Sequence, residues 1–417
     1  MRMLSLRAVS ADLLAGRPIE GRKLDTMAPL FVAEEVAARA HFVSSFANVT
    51  AFGTGDGLVL VDTGSFLMAE RTRQVLRGAV TAPASTAIWT HGHVDHCFGV
   101  ERYEAEPGAG HVRVIAHEAV ARRFERYKLT HGWNQRINAR QFQTSPKFPS
   151  EFRAPDETFA RELMLDVGGR RFEVRHALGE TDDHAWVWVP DAGVLCTGDL
   201  FIWASPNCGN PQKVQRYPRE WAAALRQMAA LGAEVLCPGH GVPIWGAAEV
   251  RRALDETAGF LESLVEQVIE LLNRGERLDA ILARVAPPPE LAARPYLAPT
   301  YDEPEFIVRN LYRLYAGWWD GNPAHVKPPR DADLAREVAA LAGGPARLAE
   351  RASALDAAGE VRLACELIEL AALAAPGDAA IRATRKAIYT ARAAGERSLM
   401  ARGIFAAAAE APEPGDP

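Results

Sequence analysis

No stretch of the 417 residues approaches the roughly twenty apolar residues that a membrane-spanning helix needs, so no membrane partner is expected. Positive charge is not in excess either: 47 Lys and Arg stand against 53 Asp and Glu, for a formal net charge of −6 and a pI near 6.0. Such a chain has no basic field with which to hold a polyphosphate backbone, and nucleic acid is not expected as a partner. Cysteine is scarce. Cys97, Cys196, Cys208, Cys237 and Cys365 are odd in number and form no CxxC pair, which argues against a disulfide framework and for a reducing compartment. The opening Met1-Arg2-Met3-Leu4-Ser5-Leu6-Arg7 carries a charge inside what would have to be an apolar signal core, with no cleavage site after it. A cytoplasmic protein is therefore expected.

What is present is the composition of a globular protein, 48% hydrophobic and 24% charged, in a chain long enough for two or three domains. From about Asn48 to His240, short β-branched or aromatic runs end in Gly, Asp or His turns and alternate with Ala/Arg/Glu-rich helical stretches, which is an α/β layout. Strands are expected at residues 58–61, 86–89, 112–115, 171–174 and 185–189, with a hairpin turn at Pro190-Asp191-Ala192-Gly193 returning through 194–196. After about Ala247 the pattern is helical throughout, punctuated by Ala286-Pro287-Pro288-Pro289 and Lys327-Pro328-Pro329. The Ala-rich helices of the last part, with turns at 355–359 and 375–378, resemble tetratricopeptide-like hairpins. The expected division is a catalytic domain over 1–248, an all-helical domain over 249–403 and a disordered tail over 404–417.

The most informative segment is Thr90-His91-Gly92-His93-Val94-Asp95-His96, which follows a strand and packs three imidazoles and a carboxylate into six residues. Imidazole nitrogen and carboxylate oxygen suit divalent metals, zinc first among them, and the turns of a loop can aim His91 and His93 at one ion and Asp95 and His96 at another. Further ligands of the right type stand at strand ends, Asp199 in Thr197-Gly198-Asp199 and His240 in Pro238-Gly239-His240-Gly241.

The order Val61-Asp62-Thr63-Gly64, then HxHxDH, then TGD, then PGHG resembles the metallo-β-lactamase superfamily over roughly the first 245 residues. The resemblance implies an αββα sandwich with the metal site at one edge. It implies that His91 and His93 bind the first metal, that Asp95, His96 and His240 bind the second, that Asp199 bridges them, and that Asp62 organises the ligand loop. Most members complete the first site with a histidine in a pattern like HxPGHTxG, whereas this sequence reads His176-Ala177-Leu178-Gly179-Glu180-Thr181-Asp182-Asp183-His184. Glu180 is the expected third ligand, and a rival register would bring His184 or His176 to the metal instead. With Glu180 in that place and Asp199 following by 19 positions, the chain resembles the alkyl sulfatase branch. The stretch from Tyr301-Asp302-Glu303-Pro304-Glu305-Phe306 to Trp318-Trp319-Asp320-Gly321-Asn322-Pro323 resembles that branch's dimerisation domain, which implies a homodimer. Two departures stand out. The bridging residue is aspartate where these sulfatases carry glutamate, and no counterpart of their C-terminal sterol-carrier-like domain follows, so a shorter or different substrate is expected.

The reading that results is a metal-dependent hydrolase with two Zn2+ or other divalent ions, in which Asp95 and Asp199 are catalytic as well as ligands. A water shared by the metals, with its pKa brought toward about 7, would cleave a small anionic ester with an apolar tail, an alkyl sulfate first of all. Asn207, Asn210, Lys213 and Arg216, in the loop after Asp199, are candidates to hold the sulfate, Arg216 in bidentate fashion. Residues 127–136 could supply an apolar wall. The competing readings are hydrolysis of a lactone, thioester or β-lactam at the same site, and a dimeric binding module without metals.

Overall fold

The computed structural model describes residues 4–17, 28–144 and 147–411. By their contacts the described residues group into two compact units, one taking residues up to 130, 149–275 and 280–315, the other 131–148, 276–279 and 316 onward. The strands all lie in the first unit. β1 (Ala33–Ala37), β2 (Ala40–Val43), β3 (Val49–Thr54), β4 (Gly57–Val61), β5 (Ala84–Ile88), β6 (Arg113–His117) and β7 (Glu157–Phe159) form a seven-stranded sheet in that order. Its first four strands are antiparallel neighbours and its last four parallel. β8 (Glu162–Val167), β9 (Arg170–His176), β10 (Ala185–Val189), β11 (Val194–Ile202), β12 (Val235–His240) and β13 (Ile244–Trp245) form a six-stranded sheet, in which only β11 and β12 run parallel.

The sequence explains which strands are central. β10 reads Ala-Trp-Val-Trp-Val and β11 Val-Leu-Cys-Thr-Gly-Asp-Leu-Phe-Ile, and every residue of both is buried, as a strand covered on both faces requires. The sheets meet face to face at Phe52 of β3 and Phe172 of β9, whose rings stand 5.6 Å apart at 82°. Helices α1 (Leu6–Leu14), α2 (Ala69–Arg77), α3 (Val100–Glu104), α4 (Ala119–Leu129), α6 (Pro218–Ala229) and α7 (Ala247–Asn273) belong to this unit, α2 and α3 against the first sheet, and α1, α6 and α7 against the second. The unit is the αββα sandwich that the motifs imply.

The expected boundary at residue 248 differs from this grouping. α7 buries a stripe of Val250, Ala253, Leu254, Ala258 and Leu261 and packs on α6, β12 and β13, so it is a layer of the sandwich. α9 (Pro289–Ala292) and nearly all of α10 (Pro304–Ala316) lie in the same unit, and α8 (Leu278–Arg284) crosses its edge. The second unit holds α5 (His131–Phe142), α11 (Asp331–Ala342), α12 (Pro345–Ala357), α13 (Val361–Ala374), α14 (Ala379–Gly395) and α15 (Leu399–Glu410). The turns expected at 355–359 and 375–378 join α12 to α13 and α13 to α14. The tail is a correction: residues 404–410 are helical in α15, where Gly403 approaches the backbone of Arg140 and Gln141 too closely for any side chain, and Ala409 is buried. Residues 412–417 of that expected tail lie outside the described residues. Among the described residues no helix is long and apolar enough to cross a membrane.

Phe172 is fully buried at the junction of the sheets. Truncation to alanine is expected to cost about 3–5 kcal/mol of unfolding free energy, read from urea melts, and a loss below about 1 kcal/mol would show that the two sheets do not share a packed core there.

Candidate metal centre

The loop that carries the histidine motif leaves the end of β5 and is fixed at its root by Asp62, the residue after β4. Asp62 is buried and held at φ +58°, an unusual backbone for a residue with a side chain. Its carboxylate accepts from the Thr90 amide at 2.8 Å, the Thr90 hydroxyl at 2.9 Å and His96 Nδ1 at 2.8 Å. The third bond leaves His96 Nε2 as the free lone pair. The Thr90 hydroxyl has given its one proton to Asp62, so it accepts from His91 Nδ1 at 3.0 Å, which leaves the lone pair on His91 Nε2, 2.7 Å from His93 Nδ1. His240 Nδ1 donates to the Phe46 carbonyl, and Asn48 staples the loop around His240 by donating to the carbonyls of Pro238 and Gly241 at 3.0 and 3.1 Å.

The freed atoms converge in two groups. His91, His93, Glu180 and Asp199 bring one ligand atom each within 4.8 Å of one another, and so do Asp95, His96 and His240. Asp199 joins them: its Oδ2 lies 3.8 Å from His91 Nε2, and its Oδ1 lies 3.2 Å from His96 Nε2 and 3.3 Å from His240 Nε2. Neither His184 nor His176 belongs to either group. His184 stacks on His91 and its Nε2 accepts the Asp199 amide at 3.1 Å, while His176 donates to the Asp182 carbonyl and stacks on His117.

The donor set fits divalent cations. Three carboxylates among four imidazoles leave a buried negative charge that two such ions would balance. Burial, aided by neighbouring cationic groups, holds His91 and His93 well below the usual imidazole range, and so in the neutral form that ligates. Burial acts the same way on His96 and His240, yet Asp199, with the other nearby carboxylates, pulls both above it. The site therefore draws positive charge toward its centre, and bound metal would displace those protons. Three of the converging atoms, His96 Nε2, Glu180 Oε2 and Asp199 Oδ1, are buried without a hydrogen-bond partner.

Comparison with known proteins agrees with the geometry. The family model described as the metallo-beta-lactamase superfamily matches residues 44–240, and that described as alkyl sulfatase dimerisation matches residues 277–415. Residues 44–240 are by that match a metallo-beta-lactamase superfamily domain. Among curated relatives it is similar to a linear primary-alkylsulfatase of Pseudomonas sp. (strain ATCC 19151), 28% identical over 69% of this chain and 59% of that protein. An (R)-specific secondary-alkylsulfatase of Pseudomonas sp. is also 28% identical, over 83% of this chain and 56% of the relative. The structure of a stereoselective inverting sec-alkylsulfatase from Pseudomonas sp. shares the fold with a TM-score of 0.83 at 24% identity, covering 93% of this chain and 66% of that one. The chain thus spans less than two thirds of the length of these relatives.

Three of the four candidate sulfate-binding residues have other partners in the described structure. Asn207 Nδ2 donates to Glu180 Oε1 at 2.9 Å, and the buried Arg216 guanidinium forms an ion pair with the same oxygen. Asn210 turns its side-chain oxygen onto the Gln212 amide at 3.0 Å. Lys213 is half-buried, and burial draws its ammonium down to about 8. Of the expected apolar wall, Tyr127 is buried, whereas Leu129 and Trp133 are exposed.

Two positioning residues escaped the sequence reading. Asp183 accepts the Gly92 amide at 2.9 Å and Arg123 Nε at 2.8 Å, clamping the middle of the HxHxDH loop to α4. Although burial pushes the Asp183 carboxyl up, Arg123 brings it down to about 2. Arg123 carried no signal, because an arginine in an Ala/Arg/Glu-rich helix is ordinarily solvated; Asp183 stood beside Glu180 in the ligand segment and was assigned no role. Asp183→Ala strands a buried guanidinium and is expected to cost about 3 kcal/mol, against less than about 1 for Asp182→Ala, whose side chain is 42% exposed. Equal losses in denaturant melts would remove Asp183 from this role.

Proposed function

We propose that the protein is a dinuclear metal hydrolase that cleaves alkyl sulfate esters. The observation that carries this reading is the orientation of Asp199, which turns one carboxylate oxygen to each of the two ligand groups. His91, His93 and Glu180 would hold one ion, Asp95, His96 and His240 the other, with Asp199 shared. Bound there, two zinc or other divalent ions supply Lewis acidity and lower the pKa of a water toward about 7. Asp62 keeps the His96 lone pair aimed inward, and Asp183 with Arg123 holds the loop at Gly92. Asp199 borders both groups and Asp95 the second, where their oxygens would accept hydrogen bonds from a bound water.

The substrate class rests on charge and on relatives. The curated relatives are named alkylsulfatases, one primary and one secondary. The loop after β11 brings Lys213 near His93, next to the Asn207 and Arg216 that hold Glu180, so one cation not committed to Glu180 stands beside the site. A sulfate monoester would use such a cation for its oxygens. The dimerisation match over 277–415 supports a homodimer, and the five unpaired cysteines fit a cytoplasmic setting.

The test is metal content followed by release of sulfate from dodecyl sulfate, alongside a lactone and a β-lactam. Two metals per chain, with sulfate release reduced at least a hundredfold in Glu180→Ala, is the expected result. Two metals with turnover of only the carbonyl substrates would move the assignment to the second class, and a chain that binds no metal would end the reading altogether.

A further inference from the structure

We infer that helix α10 is part of the catalytic apparatus, with Asp302 and Asn310 as positioning residues that set the Glu180 carboxylate through the loop at residues 205–217. The inference rests on the reading of Glu180 as a metal ligand. It goes beyond it, because the family match that covers this helix is described only as a dimerisation region.

The chain of contacts is continuous. Glu180 Oε1 is held from one side by Asn207 and Arg216, the two ends of a single loop. From Ser205 to Tyr217 that loop forms no helix or strand; besides short turn bonds such as Lys213 N to the Asn210 carbonyl, it is held by contacts from outside. It is anchored to the stretch 298–313 at successive points. The Ser205 amide donates to the Ala298 carbonyl at 2.8 Å. The Gly209 amide donates to Asp302 Oδ2 at 2.6 Å, two residues from Asn207. Asn310 Nδ2 donates to the carbonyl of Arg216 at 3.1 Å, and Asn310 Oδ1 accepts from Gln215 at 2.9 Å. Both ends of the loop are therefore fixed by side chains of one segment, Asp302 just before α10 and Asn310 within it.

The fit between loop and helix is close as well as polar. A Cβ on Gly209 would fall 2.1 Å from the carbonyl carbon of Phe306, so only glycine lets the loop lie against the helix backbone. Asp302 is fully buried and accepts a second amide, that of Glu303, at 2.7 Å. Its two oxygens thus tie the loop to the start of α10. Asn310 is buried too, and uses both donor and acceptor. A helix kept only for assembly would have no need to spend its buried polar groups on this loop.

Outer partners of a metal ligand change affinity by about ten- to a hundredfold when removed. Because Glu180 belongs to the first ligand group and not the second, the effect should fall on one ion. The experiment loads the full chain with two equivalents of zinc and titrates it with a chromophoric chelator, for wild type, Asn310→Ala and the milder Asp302→Asn, which keeps one acceptor. The melting temperature of each metal-free protein is measured alongside. The expected result is that one zinc equivalent of each variant is withdrawn at about ten- to a hundredfold lower chelator concentration, while the other equivalent and the metal-free melting temperature stay near wild type. Equal weakening of both equivalents with a lowered melting temperature, or no change in either, would overturn the inference. Wild type that takes up no zinc would instead overturn the metal reading beneath it, and that outcome is visible before any substitution is made.

Discussion

The constraint on which the structure turns is negative charge brought into a dry place. Asp62, Glu180, Asp183 and Asp199 are all buried, three of them within β11 or the segment just before β10. An unpaired buried carboxylate costs several kcal/mol, so each must be answered by its own device. Asp62 is answered by three hydrogen-bond donors, Asp183 by Arg123, Glu180 by Arg216 and Asn207, and Asp199 by the imidazoles of His96 and His240. Only the last of these rests wholly on titratable rings, and it stands where the two ligand groups meet. The arrangement leaves one place in the fold where cations are wanted and fixes the rest.

Bringing four loops together at that place requires the backbone to come close, and two glycines make this possible. Gly198 sits at φ +50°, and a Cβ there would lie 2.7 Å from Thr90. A Cβ on Gly239 would lie 2.1 Å from Asp199 Oδ1. The glycine before the aspartate in TGD and the one before the histidine in PGHG are therefore steric conditions for convergence, the first because the chain turns left-handed, the second because a carboxylate occupies the space. The parallel pairing of β11 with β12 sets the two loops side by side before the glycines admit them.

Much of this was legible in the sequence, and what was not has physical reasons. β4, β5, β6, β9, β10 and β11 announced themselves by β-branched or aromatic runs ended by turn residues, whereas β1 and β2, reading Ala-Glu-Glu-Val-Ala and Ala-His-Phe-Val toward the sheet's edge, lack that pattern, and β3, β7 and β8 were not expected either. The ligand groups were readable because metal chemistry restricts them to few residue types at strand ends. The boundary near 248 was not, since the burial of α7 against α6 is a tertiary fact that helical periodicity alone cannot assign to one domain or another. Arg123 and Asp302 were invisible for the same reason: each looks like an ordinary helix-associated charge until the partner that buries it is known.

The glutamate at 180 gains its meaning from that same accounting. A carboxylate has two oxygens, and here they face different ways: Oε2 lies 3.4 Å from His93 Nδ1 within the ligand group, while Oε1 receives Asn207 and Arg216. A histidine in this place, as the superfamily's commoner pattern has it, would present a lone pair to the metal and an N–H on its other side. That N–H would face two more donors, and the Arg216 guanidinium, 2% exposed, would lose its counter-charge. Glu180, Asn207 and Arg216 are thus one unit, in which the residue at 180 dictates the chemistry of the loop behind it. The loop in turn must be held to that position, and it is α10 that holds it.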